Sequence, residues 1–150
     1  MDISRVDQIV DRYKSDKSAL IQILLDIESE NRWLPGDVLK RVSERLDIPM
    51  SRIYHIASFY KAFHLNPRGR YTISLCMGTA CHVRGSPRIL DKLIEFLKIK
   101  AGQTTEDQKF TLDTVNCLGC CAMGPVMAVE AEYHGKLSVF KVEEILATYD

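Results

Sequence analysis

Five cysteines are the residues of this sequence best suited to chemistry, and all of them lie between residues 76 and 121. They form two groups, Cys76-Met-Gly-Thr-Ala-Cys81 and Cys117-Leu-Gly-Cys120-Cys121. Thiolate sulfur is a soft ligand that selects iron–sulfur centres, zinc or copper(I) over hard cations. A binuclear iron–sulfur unit needs two ligands on each iron, and two thiolate pairs on two loops meet that requirement. The two groups therefore predict a metal centre.

Strands are predicted directly before both cysteine groups. Residues 71–75 alternate apolar and polar side chains and lead into Cys76, and residues 110–116 lead into Cys117. A helix beginning near Pro87, with Ser86 as its predicted N-cap, connects the two strands. A strand–helix–strand crossover makes the strands parallel, and ligands bind in the loops beyond the strand ends. We therefore expect both cysteine groups at one edge of a sheet.

The rest of the second half completes a mixed sheet. Residues 126–131 and 137–140 are predicted as strands joined by a turn at 133–136, and an amphipathic helix with apolar positions from Val142 to Tyr149 follows. The resulting order β-α-β-β-β-α is that of a thioredoxin-like domain with a mixed four-stranded sheet, assigned to residues 70–150.

The first half, residues 1–66, is predicted to be a helical bundle, which makes the whole chain α+β or α/β in class. Apolar residues recur at i, i+3, i+4 and i+7 from Leu20 to Ile27, and further helices are predicted from Pro35 and over 51–63. Phe59 and Tyr60 are interpreted as core residues. The Asn66-Pro-Arg-Gly69 turn is the predicted boundary. Because the bundle contains no cysteine, we expect it to dock a partner subunit.

Charge and hydropathy exclude several classes of function. The 150 residues carry 20 Lys and Arg against 20 Asp and Glu, so no basic surface indicates nucleic-acid binding. No run of about 18 apolar residues predicts a membrane helix, and no direct membrane contact is expected. The first residues do not resemble a signal peptide. A cytoplasmic location is therefore expected, where clustered thiols remain reduced, with an organelle protein that has lost its transit peptide as the alternative.

The two cysteine motifs, Cys76-x-Gly-Thr-Ala-Cys81-His-x-Arg-Gly and Cys117-Leu-Gly-x-Cys121, resemble those of a known family. It is the thioredoxin-like [2Fe–2S] subunit of NADH-oxidising complexes. Its members include the small flavoprotein-arm subunit of respiratory complex I and the equivalent subunits of NAD(P)-linked hydrogenases and NAD-dependent formate dehydrogenases. The resemblance extends over nearly the whole chain, including the helical first half.

The resemblance implies a ligand set and a partner. The ligands of a [2Fe–2S] cluster would be Cys76, Cys81, Cys117 and Cys121, with Cys120 as an additional thiol. The partner would be a larger Fe–S subunit that carries FMN and the NAD(H) site. Since this sequence has neither a Rossmann glycine fingerprint nor a P-loop, we expect it to transfer single electrons and to perform no substrate chemistry alone.

Residues beside the cysteines are suited to adjusting a cluster. Small residues bring backbone N–H groups close to sulfur at little steric cost; these are Gly78, Thr79, Ala80, Gly119 and Ala122. His82 and Arg84 are close in sequence to Cys81. Hydrogen bonds and charges of this kind help set the reduction potential.

Three alternatives stay open. A structural zinc module is one, although zinc pairs usually have C-x2-C spacing rather than the C-x4-C and C-x3-C found here. A redox dithiol at Cys117-Leu-Gly-Cys120 is another, although Pro125 and the next strand follow too soon for the helix that such a motif begins. The third is a stand-alone thioredoxin-like ferredoxin, which would be expected to lack the N-terminal helices.

Overall fold

The boundary between two structural units falls in the Asn66-Pro-Arg-Gly69 segment. The computed structural model describes residues 1–149 and divides into an N-terminal unit, Met1–Pro67, and a second unit that begins at Arg68. Each unit has its own apolar core. Within the described residues, no helix combines the length and the apolar composition needed to cross a bilayer.

The N-terminal unit consists of four α-helices. Their bounds are Ile3–Arg12 (α1), Leu20–Asn31 (α2), Gly36–Leu46 (α3) and Met50–Phe59 (α4). The Asp2 side chain caps α1 by accepting a hydrogen bond from the Ser4 backbone N–H. A 3₁₀ turn at Lys17–Ala19 leads into α2. The prediction of a helical first half is confirmed by these elements.

One apolar stripe from each helix forms the core of this unit. The stripe predicted on α2 is fully buried, from Leu20 to Ile27. By contrast, the prediction that Phe59 and Tyr60 are core residues is wrong, because their exposed fractions are 73% and 43%. Helix α4 buries Ala57, and Phe59 lies about 200° further round the helix, so it faces away from that core.

Adjacent leucines on α2 test this core. Leu24 is 0% exposed and Leu25 is 43% exposed. We expect Leu24→Ala to lower the free energy of unfolding by about 2–5 kcal/mol, because it removes apolar contacts and leaves a cavity. Leu25→Ala, the matched control, should change it by less than about 0.5 kcal/mol. Urea unfolding of the two variants checks this, and equal losses would contradict the assignment of the buried face.

Over residues 68–149, the second unit is a five-stranded mixed sheet with three α-helices. The strands are Tyr71–Cys76 (β1), Gln103–Thr104 (β2), Phe110–Val115 (β3), Met127–Val129 (β4) and Glu132–His134 (β5). The helices are Thr79–Val83 (α5), Ser86–Leu97 (α6) and Val139–Leu146 (α7). The strand order is β2-β3-β1-β4-β5, with β1 and β3 parallel and the other pairs antiparallel. The predicted mixed α/β class and the parallel pair are confirmed.

Two details of the predicted sheet are wrong. The sheet has five strands rather than four, because the two-residue strand β2 is too short to produce a periodic signal. Residues 137–140 are not a strand, since α7 begins at Val139. The partner of β4 is Glu132–His134, and the chain reverses at Glu130, whose φ of 54° is left-handed. The polar sequence at 133–136 resembled a turn but lies after the true one.

The start of α6 also differs from expectation. Ser86 is the first helical residue rather than the cap, and Gly85 takes the N-cap position with a φ of 114°. A positive φ favours glycine, which has no Cβ to clash with the backbone. The Ser86 hydroxyl is buried, and it has no hydrogen-bond partner within residues 1–149.

Candidate metal centre

The pairing of β1 with β3 brings the two cysteine loops to one edge of the sheet. Cys76 is the last residue of β1 and lies opposite Val115, the last residue of β3. The Met77 N–H continues the ladder by donating to the Val115 carbonyl at 2.8 Å. Cys81 follows on α5, and Cys117 comes two residues after β3. The parallel register therefore sets the two loops side by side.

Four of the five thiols interact with one another across these loops. The Cys117 and Cys121 sulfurs are 3.9 Å apart. The Cys76 thiol interacts with those of Cys81 and Cys117, and the Cys81 thiol also interacts electrostatically with Cys121. The set therefore takes two thiols from each loop.

Cys120 is placed differently from its neighbour. Its sulfur lies 3.6 Å from the carbonyl oxygen of Leu118, within its own loop. The side chain is partly buried and packs against the small buried cluster formed by Cys76, Cys81 and Val126. Cys120 thus lies beside the buried cysteine pair with its sulfur near a backbone carbonyl, whereas the Cys121 sulfur interacts with that of Cys117.

Exposure divides the four thiols into two pairs. Cys76 and Cys81 are each 1% exposed, and Cys117 and Cys121 are exposed. One side of the site is therefore shielded from water by the protein, and the other opens to the surface.

The pKa values of three thiols follow from this geometry. Burial raises the pKa of Cys76, but hydrogen bonds from the backbone N–H groups of Gly78 and Leu118 and from two neighbouring thiols together hold the pKa below its usual range. Burial, followed by the neighbouring Cys76 thiol, raises the pKa of Cys81. The hydrogen bond with Cys117 and then its charge raise the pKa of Cys121. A thiolate disfavours ionisation of a thiol next to it, because the two negative charges repel. A bound cation would compensate that repulsion when several of these thiols are ionised.

Backbone N–H groups surround the sulfurs. Gly119 N lies 3.2 Å from the Cys117 sulfur, and Gly78 donates to Cys76, as expected for small residues beside the motif. Leu118 donates to Cys76 and Val126 donates to Cys81. Sequence reasoning missed these last two donors, because a backbone N–H on a residue with an apolar side chain carries no sequence signal.

Two glycines allow backbone segments to approach the thiols closely. A Cβ on Gly78 would lie 2.6 Å from the Asn116 carbonyl oxygen, on the other cysteine loop. A Cβ on Gly124 would lie 2.9 Å from the Cys81 sulfur and 3.3 Å from the Cys121 carbonyl oxygen. Neither position has room for a side chain. The sequence singled out Gly78 but not Gly124, whose contacts with both cysteines arise only in the fold.

The donor set fits a binuclear cluster. Structural zinc gathers four ligands around one ion, whereas a [2Fe–2S] cluster distributes its ligands over two irons. Four soft sulfur ligands from two loops, with backbone N–H donors around them, are suited to such a cluster.

Comparisons with known proteins give consistent results. Residues 6–150 match the family model described as thioredoxin-like [2Fe-2S] ferredoxin. The chain is 35% identical over 144 residues to the HndA subunit of the NADP-reducing hydrogenase of Solidesulfovibrio fructosivorans, covering 96% of this chain and 84% of that protein. It is 39% identical over 138 residues to a subunit of the NADH-quinone oxidoreductase of Rhizobium meliloti (strain 1021), covering 92% and 82%.

A solved structure shares the fold. The crystal structure of an NAD+-reducing [NiFe]-hydrogenase in the air-oxidized state aligns with a TM-score of 0.71 and 21% identity, over 87% of this chain and 22% of that one.

The two relatives identified by sequence, from the hydrogenase and the quinone oxidoreductase, are both subunits of oxidoreductases. The cofactor of the matched family is a [2Fe–2S] cluster. On the match over residues 6–150 and these identities, the chain belongs to the thioredoxin-like [2Fe–2S] ferredoxin family.

Proposed function

We propose that this chain carries single electrons through a [2Fe–2S] cluster held by Cys76, Cys81, Cys117 and Cys121. The observation that carries the proposal is the mutual interaction of four thiols from two loops, while the Cys120 sulfur lies near the Leu118 carbonyl. When bound, the cluster accepts and releases one electron at a time. The chain's own residues shield one sulfur pair from water and leave the other pair at the surface.

The proposed setting is an NAD(P)H-linked oxidoreductase complex. The names of the two relatives, which belong to an NADP-reducing hydrogenase and an NADH-quinone oxidoreductase, support this. The partner would be a larger Fe–S subunit that carries FMN and the NAD(H) site, because this sequence has no glycine-rich nucleotide fingerprint of its own. A cytoplasmic location suits a site built from reduced thiols.

Metal analysis and spectroscopy of protein purified without oxygen test the cluster. We expect about two irons and two sulfides per chain, a visible absorption that bleaches with dithionite, and an S = 1/2 EPR signal only after reduction. A colourless protein with one zinc would support the zinc-module alternative. Metal-free protein with a titratable dithiol would support the Cys117–Cys120 redox alternative.

We further propose that the N-terminal helical unit docks the flavin-bearing subunit. Its exposed aromatic side chains support this, because large apolar groups on a surface are typical of protein interfaces. Phe59 is 73% exposed, and Tyr54 and Tyr60 are 41% and 43% exposed. The Phe59 ring packs edge-on against Tyr60, with centroids 5.1 Å apart.

A charge on this aromatic group should weaken docking. We expect Phe59→Asp to reduce affinity for the partner subunit more than tenfold, the effect typical of losing an interface anchor of about 2 kcal/mol. Phe140→Asp is the control, since Phe140 is 91% exposed and belongs to the second unit. Affinity measured by titration with the isolated partner separates the two. Wild-type affinity for Phe59→Asp would place docking elsewhere.

A further inference from the structure

Arg84 links the two cysteine loops. It follows α5 directly, and its backbone N–H donates to the Ala80 carbonyl at 3.2 Å, within the Cys81 loop. Its side chain reaches the other loop, where Nη1 donates to the carbonyl oxygen of Cys121 at 2.8 Å. A single residue is therefore anchored in one loop by its backbone and in the other by its guanidinium.

The bond to Cys121 acts on a short and exposed segment. The Cys121 carbonyl also accepts a hydrogen bond from the Gly124 N–H at 3.2 Å, and a 3₁₀ turn spans only Cys121–Met123. Holding this carbonyl fixes the peptide that follows Cys121. It thereby restricts the position of a side chain whose sulfur lies 3.9 Å from that of Cys117.

Arg84 also brings a fixed positive charge to the site. Arginine remains protonated at all accessible pH values. Within residues 1–149, no carboxylate forms an ion pair with it. Reduction adds a negative charge to a cluster with four thiolates, and a nearby cation stabilises that form more than the oxidised one.

We propose that Arg84 is a positioning residue that fastens the Cys121 loop to the Cys81 loop and raises the reduction potential of the cluster. This inference rests on the proposed function. It assigns two separable effects to one exposed side chain: slower loss of the cluster and a higher reduction potential of the cluster.

Three variants of the full chain test the two effects. Arg84→Gln removes the positive charge and replaces the guanidinium with the amide of a shorter side chain. Arg84→Lys retains the positive charge but lacks the planar, forked guanidinium group. Arg88→Gln is the matched control, because Arg88 is an exposed arginine in the first turn of α6. The readouts are the midpoint potential from an EPR redox titration and the rate of cluster loss to a chelator, followed by visible absorption.

We expect Arg84→Gln to shift the one-electron equilibrium about tenfold towards the oxidised form, a fall of ~59 mV, and to lose the cluster several-fold faster. Arg84→Lys should recover most of the potential but remain sensitive to the chelator. Arg88→Gln should resemble the wild type in both. High salt should reduce the difference in potential, because the charge is exposed.

Equal potentials and equal rates of cluster loss for Arg84→Gln and Arg88→Gln would overturn the inference and leave the cluster itself intact. Should Arg84→Gln fail to load, Arg84→Lys decides, since wild-type behaviour in both readouts excludes a role for the fork in positioning. A wild-type protein without any cluster would instead reject the proposed function.

Discussion

Replacing Cys121 with serine is expected to remove most of the [2Fe–2S] cluster, whereas replacing Cys120 with serine should leave it intact. The Cys121 sulfur lies 3.9 Å from that of Cys117, and the Cys120 sulfur is directed to the Leu118 carbonyl. A serine hydroxyl is a harder ligand than a thiolate and binds iron in a sulfide cluster less well. Iron and sulfide content, together with the EPR signal of the reduced protein, measure the difference.

The adjacent thiol calls for one further control. Because Cys120 could replace its neighbour as a ligand, the double variant Cys120→Ser/Cys121→Ser should lose any cluster that Cys121→Ser retains. The two single variants carry the same chemical change at neighbouring positions, so general damage to the loop is matched. A cluster that survives Cys121→Ser and is lost in Cys120→Ser would assign the fourth ligand to Cys120.

Alanine at Gly124 should disrupt the site from a position that is not a ligand. Its Cβ would lie 2.9 Å from the Cys81 sulfur, closer than side-chain atoms normally approach. Relief of that contact requires a shift of Cys81 or of the Cys121 carbonyl, which lies 3.3 Å away. We expect Gly124→Ala to reduce iron content by more than half and to lower the free energy of unfolding by about 1–3 kcal/mol.

A second glycine distinguishes a local effect from general destabilisation. Gly102 has a φ of 87°, and no atom lies within 4 Å of the Cβ that alanine would add. Gly102→Ala should therefore lower stability through backbone strain of about 1–2 kcal/mol but leave iron content unchanged. Thermal unfolding and metal analysis of both variants provide the comparison. Full cluster loading in Gly124→Ala would show that the loop accommodates the methyl group.

Local patterns predicted most of the elements that carry the site. Alternation over residues 71–75 and the run over 110–116 correspond to β1 and β3, and the apolar stripe on α2 is buried. These predictions succeed because strand and helix periodicities arise from neighbouring residues. The cysteine motifs also indicated the family, which the comparisons confirm.

Other predictions failed where local sequence competes with tertiary packing. The polar stretch at 133–136 resembled a turn, yet the chain reverses at Glu130 and β5 occupies Glu132–His134. Phe59 and Tyr60 are apolar enough for a core but lie on the outer side of the end of α4. Periodicity places such residues on a helix without deciding which of two faces is covered.

The sequence alone determined the number, type and spacing of the thiols and the strands that precede them. The tertiary structure decided which thiols meet, which are exposed, and that the Cys120 sulfur lies near the Leu118 carbonyl while that of Cys121 lies near Cys117. It also brought the backbone donor of Val126 and the side chain of Arg84 to the cysteines. These contacts join residues about 40 positions apart, so they depend on the register between neighbouring strands, a property that no single segment contains.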